Sequence, residues 1–365
     1  MKKLNILILS TGNPSKRLIK AIESRGHTYE CYSPKELYLL VSDSKNGKDR
    51  LFVENGTDAP KELFPKNFNS VMTRLGGGGD YGLTVLQHLT DNIGLYSAQT
   101  AGSIRIASNK MWTSQKVSAA GLNTPVTVFA KNPKNIPFLI NQVGELPCVL
   151  KTPYGSQGTG VVKMVEYQQT MATIELCNAK EIDTLLQRYI PAGGKDYRVI
   201  VVGDKVVCTM LRIAKDGFKA NISQGGEGKK VELSEEHQKF CVEASKSIGL
   251  KFSGVDIMIS NEDGKAYLVE INSNPGTKSI DVCNHNWFVD WVELIEREFE
   301  KHERLRNTDF AMLKGDEKTE AILKAISPSP ESNLLNNDVL MSKNMGIVLK
   351  YCELIIENMP KEAKK

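Results

Sequence analysis

Ser253-Gly-Val-Asp-Ile-Met-Ile-Ser-Asn-Glu-Asp-Gly-Lys-Ala-Tyr-Leu-Val-Glu-Ile-Asn272 is the stretch on which the fold turns. Two apolar runs, 253–260 and 266–272, flank the turn-forming cluster Asn261-Glu-Asp-Gly264, a pattern that predicts an antiparallel hairpin. Residues two apart on a strand share a face, so Glu270 and Asn272 point the same way. Asp256 then falls roughly opposite Val269 or Glu270. Three oxygen-bearing side chains on neighbouring rigid strands suit Mg2+, which takes a few protein oxygens and completes its shell with water and phosphate. The neighbours Val255, Ile257, Leu268, Val269 and Ile271 are apolar, and an unpaired charge among them is costly. The alternative is a solvent-facing edge for each acid, and spacing alone leaves both open.

Immediately upstream, 197–202 and 205–211 are joined by Gly203-Asp204, a second hairpin signal. Arg198 and Arg212 lie in it, with Asp196 two residues before Arg198. Arginines facing inward there need anions; facing solvent is the other arrangement the pattern allows. Ser234-Glu-Glu-His237 opens a helix that ends at Gly249, so antiparallel strands with helices to one side give an α+β region. Before it, strands at 124–130, 148–152, 161–165 and 184–190 surround a helix at 136–143 and the loop Gly155-Ser156-Gln157-Gly158-Thr159-Gly160. The loop has neither the dinucleotide spacing nor a following Gly-Lys-Ser/Thr, and it leads into a strand, so it is neither a Rossmann nor a Walker loop. Backbone N–H groups of such a loop can fold over phosphates; an ordinary hairpin tip is equally compatible. Lys151 ends the preceding strand, and Lys110 lies on a helix expected over 103–120. Each can reach a phosphate as a point charge, and each alone reads as a solvated lysine.

The first hundred residues alternate strand and helix. A strand at 4–9, a helix capped by Ser15 and stopped by Gly26, strands at 28–32 and 70–75, and, after the loop Gly76-Gly-Gly-Gly-Asp80, a helix through Leu89 predict a parallel sheet. The fold class is therefore α/β plus α+β. After residue 307 a polar run with Ser327-Pro-Ser-Pro330 precedes helical spacing at 347–359, an appended helical tail.

The bulk numbers exclude several classes. A chain of 365 residues with 41% apolar and 25% charged content buries a sizeable core without disulfides. The net charge of +4 is spread along the chain, which argues against a nucleic-acid partner. Seven scattered cysteines without a C-x-x-C pair imply free thiols in a reducing compartment, and five scattered histidines give no zinc spacing. No apolar run is long enough for a membrane span. The expected location is the cytoplasm.

Lys110, Lys151, the glycine loop, Asp256 and Val269-Glu-Ile-Asn-Ser-Asn-Pro-Gly276 follow one another in the order of the ATP-grasp superfamily. Ser15-Lys-Arg-Leu18 with Arg25-Gly-His27, Thr73-Arg-Leu-Gly76, Ser108-Asn-Lys110, Asp196-Tyr-Arg198, Val201-Val-Gly-Asp204 and Gly254-Val-Asp256 resemble the RimK-like branch, whose namesake adds glutamate to the C terminus of a ribosomal protein. The resemblance covers roughly residues 2–305. It implies an ATP-grasp fold with an N-terminal parallel-sheet (preATP-grasp) domain at 1–104, a central glycine-loop subdomain at 105–190, a C-terminal subdomain at 191–306, and a linker and helical extension at 307–365.

Carried over by position, the resemblance makes Lys110 and Lys151 nucleotide-phosphate lysines, and Gln187, Arg188, Tyr189 and Ile190 the adenine-binding segment through main-chain groups at Arg188 and Ile190. Gly155 to Gly160, Asp196 and Arg198 join the nucleotide set. Asp256, Glu270 and Asn272 become ligands of two Mg2+ ions, with Mn2+ able to substitute. Arg212 would steady an acyl phosphate, with Lys151 beside it and Asn221 on the substrate side. The implied reaction is ATP-dependent amide formation between a peptide or protein carboxylate and an amino-acid amine, with the glycine loop closing to exclude water. Crosslinking of side chains within a peptide, as by macrocycle-forming ligases, and an inactive nucleotide-binding regulator are the alternatives. A homo-oligomer is left open. Ile213 stands where the namesake has a second arginine, and Ser223-Gln224 replace a basic pair, departures that leave glutamate open as the added residue.

Overall fold

The computed structural model describes residues 2–42, 49–56, 59–64, 67–75, 80–131, 133–155, 160–215, 217–218 and 227–307, with side chains through residue 303. Ser156, Gln157, Gly158, Thr159, Asn221, Ser223, Gln224 and the tail after residue 307 lie outside the described residues. The chain divides into two compact units, Met1–Ala98 with Val292–Lys365, and Gln99–Trp291.

In the first unit the apolar run forms β1 (Asn5–Ser10), and Leu7, Ile8 and Leu9 are fully buried. Ser15 caps α1 (Lys16–Ser24) by accepting from the Arg17 N–H, and Gly26, at φ +79, turns the chain into β2 (Thr28–Tyr32). A small antiparallel sheet of β3 (Leu37–Leu40), β4 (Arg50–Val53) and β5 (Lys61–Leu63) follows, and its short strands carry too little alternation to have been read beforehand. Next come β6 (Ser70–Arg74), α2 (Asp80–Gln87) and β7 (Tyr96–Ser97). The main sheet has the order β2-β1-β6-β7, all parallel, as the strand–helix alternation required.

The second unit opens with a departure from expectation. The single helix expected over 103–120 is two, α3 (Ala101–Ser108) and α4 (Lys110–Ala119). Asn109 between them is extended, and its side chain accepts from the N–H groups of Met111 and Trp112 at 2.9 and 3.1 Å. An asparagine that caps competes with the helix passing through it. The central sheet, in order β10-β9-β11-β8, comprises β8 (Thr127–Phe129), β9 (Cys148–Lys151), β10 (Val161–Met164) and β11 (Leu185–Arg188). Helices α5 (Ile136–Gln142) and α6 (Tyr167–Ala179) supply Ile136, Leu139, Ile140 and Ile174 to a core shared with Cys148, Leu150, Met164 and Leu186. Sequence reading passed over α6: only Thr170 and Ile174 of it are buried, so it carries almost no apolar stripe.

The other sheet is antiparallel, in order β14-β13-β12-β15-β16. The Gly203-Asp204 turn joins β12 (Lys195–Val202) to β13 (Lys205–Ile213), and β14 (Glu227–Lys230) lies at the edge. Ser234 caps α7 (Glu235–Ser247), whose Phe240, Cys241 and Ala244 pack with Val199, Val201, Val255, Ile257, Leu268 and Ile271 of one sheet face. The decisive stretch forms β15 (Phe252–Ile259) and β16 (Ala266–Asn272). A short helix, α8 (Lys278–Cys283), and α9 (Phe288–Asn307) follow, and Phe252 stacks on Trp291 at 3.9 Å between ring centroids.

In the first unit α9 is tied by charge. Glu296 accepts from Arg25 Nε and Nη2, each at 2.7 Å, and lies 2.6 Å from His27 Nε2. The Leu4 N–H donates to His27 Nδ1, which makes Nε2 the protonated nitrogen and the donor to Glu296. Burial opposes ionisation of Glu296, but the hydrogen bonds from Arg25 and His27 outweigh it and hold the carboxyl below its ordinary value. Glu296→Gln is therefore expected to lower stability by about 2 kcal/mol in urea unfolding at neutral pH. Because the folded carboxyl titrates below its unfolded value, this contribution is complete above about pH 4.3 and is lost as pH falls through the folded value. A difference between wild type and variant that stays constant into acid would contradict the assignment.

Candidate active site

The face of the five-stranded sheet opposite α7 carries a row of charges fixed by register. Asp196 pairs across strands with Arg212, Arg198 with Asp256, and Asp256 in turn with Glu270. The last pairing settles what spacing left open. A bulge at Asp256/Ile257 sets Asp256 opposite Glu270 and then Ile257 opposite Leu268, so Val269 is the extra residue. Asp256 is only 2% exposed, and its carboxylate accepts from Arg198 Nε, from Arg198 Nη2 at 2.6 Å and from Arg212 Nη2 at 2.9 Å. Arg212 forks onto Asp196 at 2.5 and 2.8 Å. The two arginines thus face inward with anions as partners. Burial pushes Asp256 up, but the attraction of Arg198 and Arg212 prevails and holds it below the carboxylate range. For Asp196 burial prevails and raises it, against the pull of Arg212.

Gly254 makes room for this row. A Cβ built there would stand 2.8 Å from Pro275 Cβ and 3.3 Å from Arg198 Cδ. Gln99, a residue that sequence reading missed, donates to the carbonyls of Phe252 at 3.0 Å and Ser273 at 2.5 Å, pinning β15 to the turn after β16. A lone glutamine in a connection gives no advance signal.

Glu270 and Asn272 are half-buried and adjacent: Asn272 Nδ2 donates to Glu270 Oε1 at 3.1 Å and to the Gly254 carbonyl at 3.5 Å. The amide nitrogen therefore faces protein acceptors, and the amide oxygen is the atom suited to a cation. Two residues on, the Asn274 Oδ1 is buried without a hydrogen-bond partner. Two carboxylates and an amide oxygen form a hard, sparse donor set that fits Mg2+. Among the described residues no group of three or more His, Cys, Asp or Glu is placed to hold a metal ion.

Lys110 and Lys151 lie within electrostatic reach of Glu270 in this row. The Lys110 N–H donates to the Pro153 carbonyl at 3.0 Å and its Nζ to the Gly155 carbonyl at 2.9 Å, so the break at Asn109 fastens the first lysine to the end of β9. Lys151 is 5% exposed. Burial, then Lys110, push it down to about 8, while Glu270 pulls it back up. Burial lowers Lys110 as well, again against Glu270. Neither is the solvated lysine that each looked like alone.

Gln187 is buried and donates to Thr127 Oγ1 at 2.8 Å, and Lys163 Nζ lies 4.2 Å from the Tyr189 ring centroid. Of the main-chain groups expected to meet adenine, the Arg188 N–H donates to the Val126 carbonyl at 2.8 Å and the Ile190 carbonyl accepts from Ala192 at 3.0 Å. The Arg188 carbonyl and the Ile190 N–H are the remaining pair of that segment.

A family profile described as a RimK-like ATP-grasp domain matches residues 107–286. A protein of Legionella pneumophila (strain Corby) named "Probable alpha-L-glutamate ligase" is 33% identical over 302 residues, 80% of this chain and 96% of the relative. The chain belongs to the RimK-like ATP-grasp family. As a member of it, the protein is an ATP-dependent carboxylate–amine ligase. Solved structures agree on the fold. The ATP-grasp ligase PsnB, complexed with a phosphomimetic variant of minimal precursor, Mg and ADP, matches with a TM-score of 0.62 at 17% identity, covering 81% of this chain and 99% of that one. The macrocyclase MdnC bound with precursor peptide MdnA, from Microcystis aeruginosa MRC, matches with a TM-score of 0.59 at 16% identity, covering 80% and 99%.

The glycine in the Gly254-Val-Asp256 motif of this ligase has a steric reason to be glycine. Gly254→Ala is expected to cost about 1–3 kcal/mol of stability in urea unfolding, since Pro275 cannot give way. Gly276→Ala, where a Cβ meets nothing within 4 Å, is the control and is expected to unfold like wild type. Equal stability of the two variants would refute the packing account.

Proposed function

We propose that this ligase joins a peptide or protein carboxylate to an amino-acid amine through an acyl phosphate. The observation that carries this reading is the cross-strand row Arg212–Asp196, Arg198–Asp256–Glu270 with Lys110 and Lys151 within electrostatic reach of Glu270. The acceptor carboxylate oxygen attacks the γ-phosphorus of ATP and ADP leaves; the amine nitrogen then attacks the acyl carbon, loses a proton, and phosphate leaves. Asp256, Glu270 and Asn272 would hold Mg2+, two ions by the family resemblance and replaceable by Mn2+, which neutralises charge on the phosphates when bound. Lys110 and Lys151 bind phosphate oxygens, and Gln187 to Ile190 line the base. Arg212, held by Asp196, positions a fixed positive charge for the acyl phosphate, which is stabilisation by preorganised electrostatics. Asn221 is assigned to the substrate side. The free thiols of the described cysteines fit a cytoplasmic setting.

The added residue is a separate matter. Ile213 follows Arg212 and pairs with Lys195 and Glu227. Its neutral side chain removes one of the charges that would hold a second carboxylate, so we assign an amine substrate not confined to glutamate.

ADP release in a screen of amino acids and candidate peptides is expected to require both a carboxylate and an amine. Product mass separates the readings: a gain of one residue supports addition, loss of one water supports crosslinking within the peptide, and ATP hydrolysis independent of any pair contradicts both. Glu270→Gln is expected to abolish turnover, by a factor of about 1000 or more, with the fold intact by circular dichroism; a fully active variant removes the metal assignment.

A pH profile tests Lys151. Since this ammonium is pushed down to about 8, ATP affinity is expected to be flat below that pH and to fall above it, by up to about tenfold per unit. Lys151→Met is expected to bind weakly with no such break. A break that survives in the variant belongs to another group.

A further inference from the structure

Arg198 and Arg212 both bond Asp256, but they are not held alike. Arg212 keeps a two-pronged grip on Asp196 at 2.5 and 2.8 Å and gives Asp256 only one bond, at 2.9 Å. Arg198 gives its whole fork to Asp256, and its Nη2, 2.6 Å from Asp256 Oδ2, is 3.9 Å from Glu270 Oε1. One positive charge therefore stands between the two carboxylates assigned to a divalent cation. We infer that Arg198 competes with the metal for Asp256, and that metal loading releases this guanidinium to take a phosphate or carboxylate beside the metal.

The inference rests on the metal assignment made above and adds a coupling to it. When Asp256 turns to a cation, Arg212 stays in place on Asp196, whereas the nearest other acid for Arg198 is Glu270, itself assigned to the cation. Gly254 leaves the Arg198 stem unobstructed, its Cδ lying 3.3 Å from where a Cβ would stand. A freed planar fork suits an anion in two-pronged fashion. Cation and anion then favour each other's binding: the bare cation must displace Arg198, and an anionic ligand rewards that displacement.

The test is Mn2+ retained by the full chain near neutral pH in equilibrium dialysis, without nucleotide and with ATP at the same free concentration in both chambers, the excess Mn2+ on the protein side being quantified by electron paramagnetic resonance after release in acid. Arg198→Met removes charge and fork; Arg198→Lys keeps the charge and removes the fork. Without nucleotide both variants are expected to bind Mn2+ more tightly than wild type, Arg198→Met by about tenfold or more. ATP is expected to raise Mn2+ affinity more in wild type than in Arg198→Met. Variants that match wild type overturn the inference, and so does a gain confined to Arg198→Met, which would mean repulsion through space without displacement. Wild type that binds no Mn2+ even with ATP overturns the metal assignment itself, whereas binding with ATP and unchanged variants overturns only the competition. Should a variant fail to fold, the wild-type Arg198 Nε–H resonance gives a second reading. Added Mg2+ is expected to shift it and speed its exchange with water; an unmoved resonance refutes displacement.

Discussion

A carboxylate as buried as Asp256 stays ionised only if cations are brought to it, and here two arginines are brought by strand register. That one constraint orders the site. The β12 strand must lie between β13 and β15, so that Asp196 meets Arg212 on one side and Arg198 meets Asp256 on the other. The bulge at Asp256/Ile257 must shift the hairpin by one residue, so that Glu270 and not Val269 faces Asp256. Residue 254 must be glycine, or Pro275 and Arg198 cannot both lie against the sheet. The opposite face packs on α7 through a mainly apolar core, joined by a buried hydrogen bond between Ser245 and Ser253 at 2.8 Å, and backs the row.

The lysines are positioned by a different device with the same end. A helix that ran through residue 109 would leave Lys110 on an ordinary helical surface. The Asn109 cap breaks it and lets the Lys110 N–H and Nζ reach the chain after β9, where Lys151 is already buried. Positive charges held close at the expense of their own ionisation, as burial of Lys151 does, are poised to gain most from an anion that restores a counter-charge.

How much of this was legible beforehand follows the physics of each element. The hairpins were readable because glycine turns and alternating apolar runs are local signals, and the shared face of Glu270 and Asn272 was readable because strands have period two. The pairing of Asp256 was readable only to within one residue, since a bulge depends on packing across the sheet. Asn109 was hidden inside a helical pattern that its own side chain interrupts. The α6 helix and the β3-β4-β5 sheet lacked periodicity strong enough to announce them. Whether Arg198 and Arg212 faced inward depended on Asp196 and Asp256 lying opposite them, which spacing along the chain does not encode and register does.

The central claim is that this site activates a carboxylate by phosphorylating it. The most direct test uses an acceptor peptide that supports ADP release, labelled with 18O in its carboxylate, and follows the label by mass spectrometry of the phosphate released. When the amine displaces phosphate from an acyl phosphate, the phosphate takes the bridging carboxylate oxygen with it, so the account predicts one 18O in each phosphate formed alongside amide product. Amide product accompanied by unlabelled phosphate would contradict it.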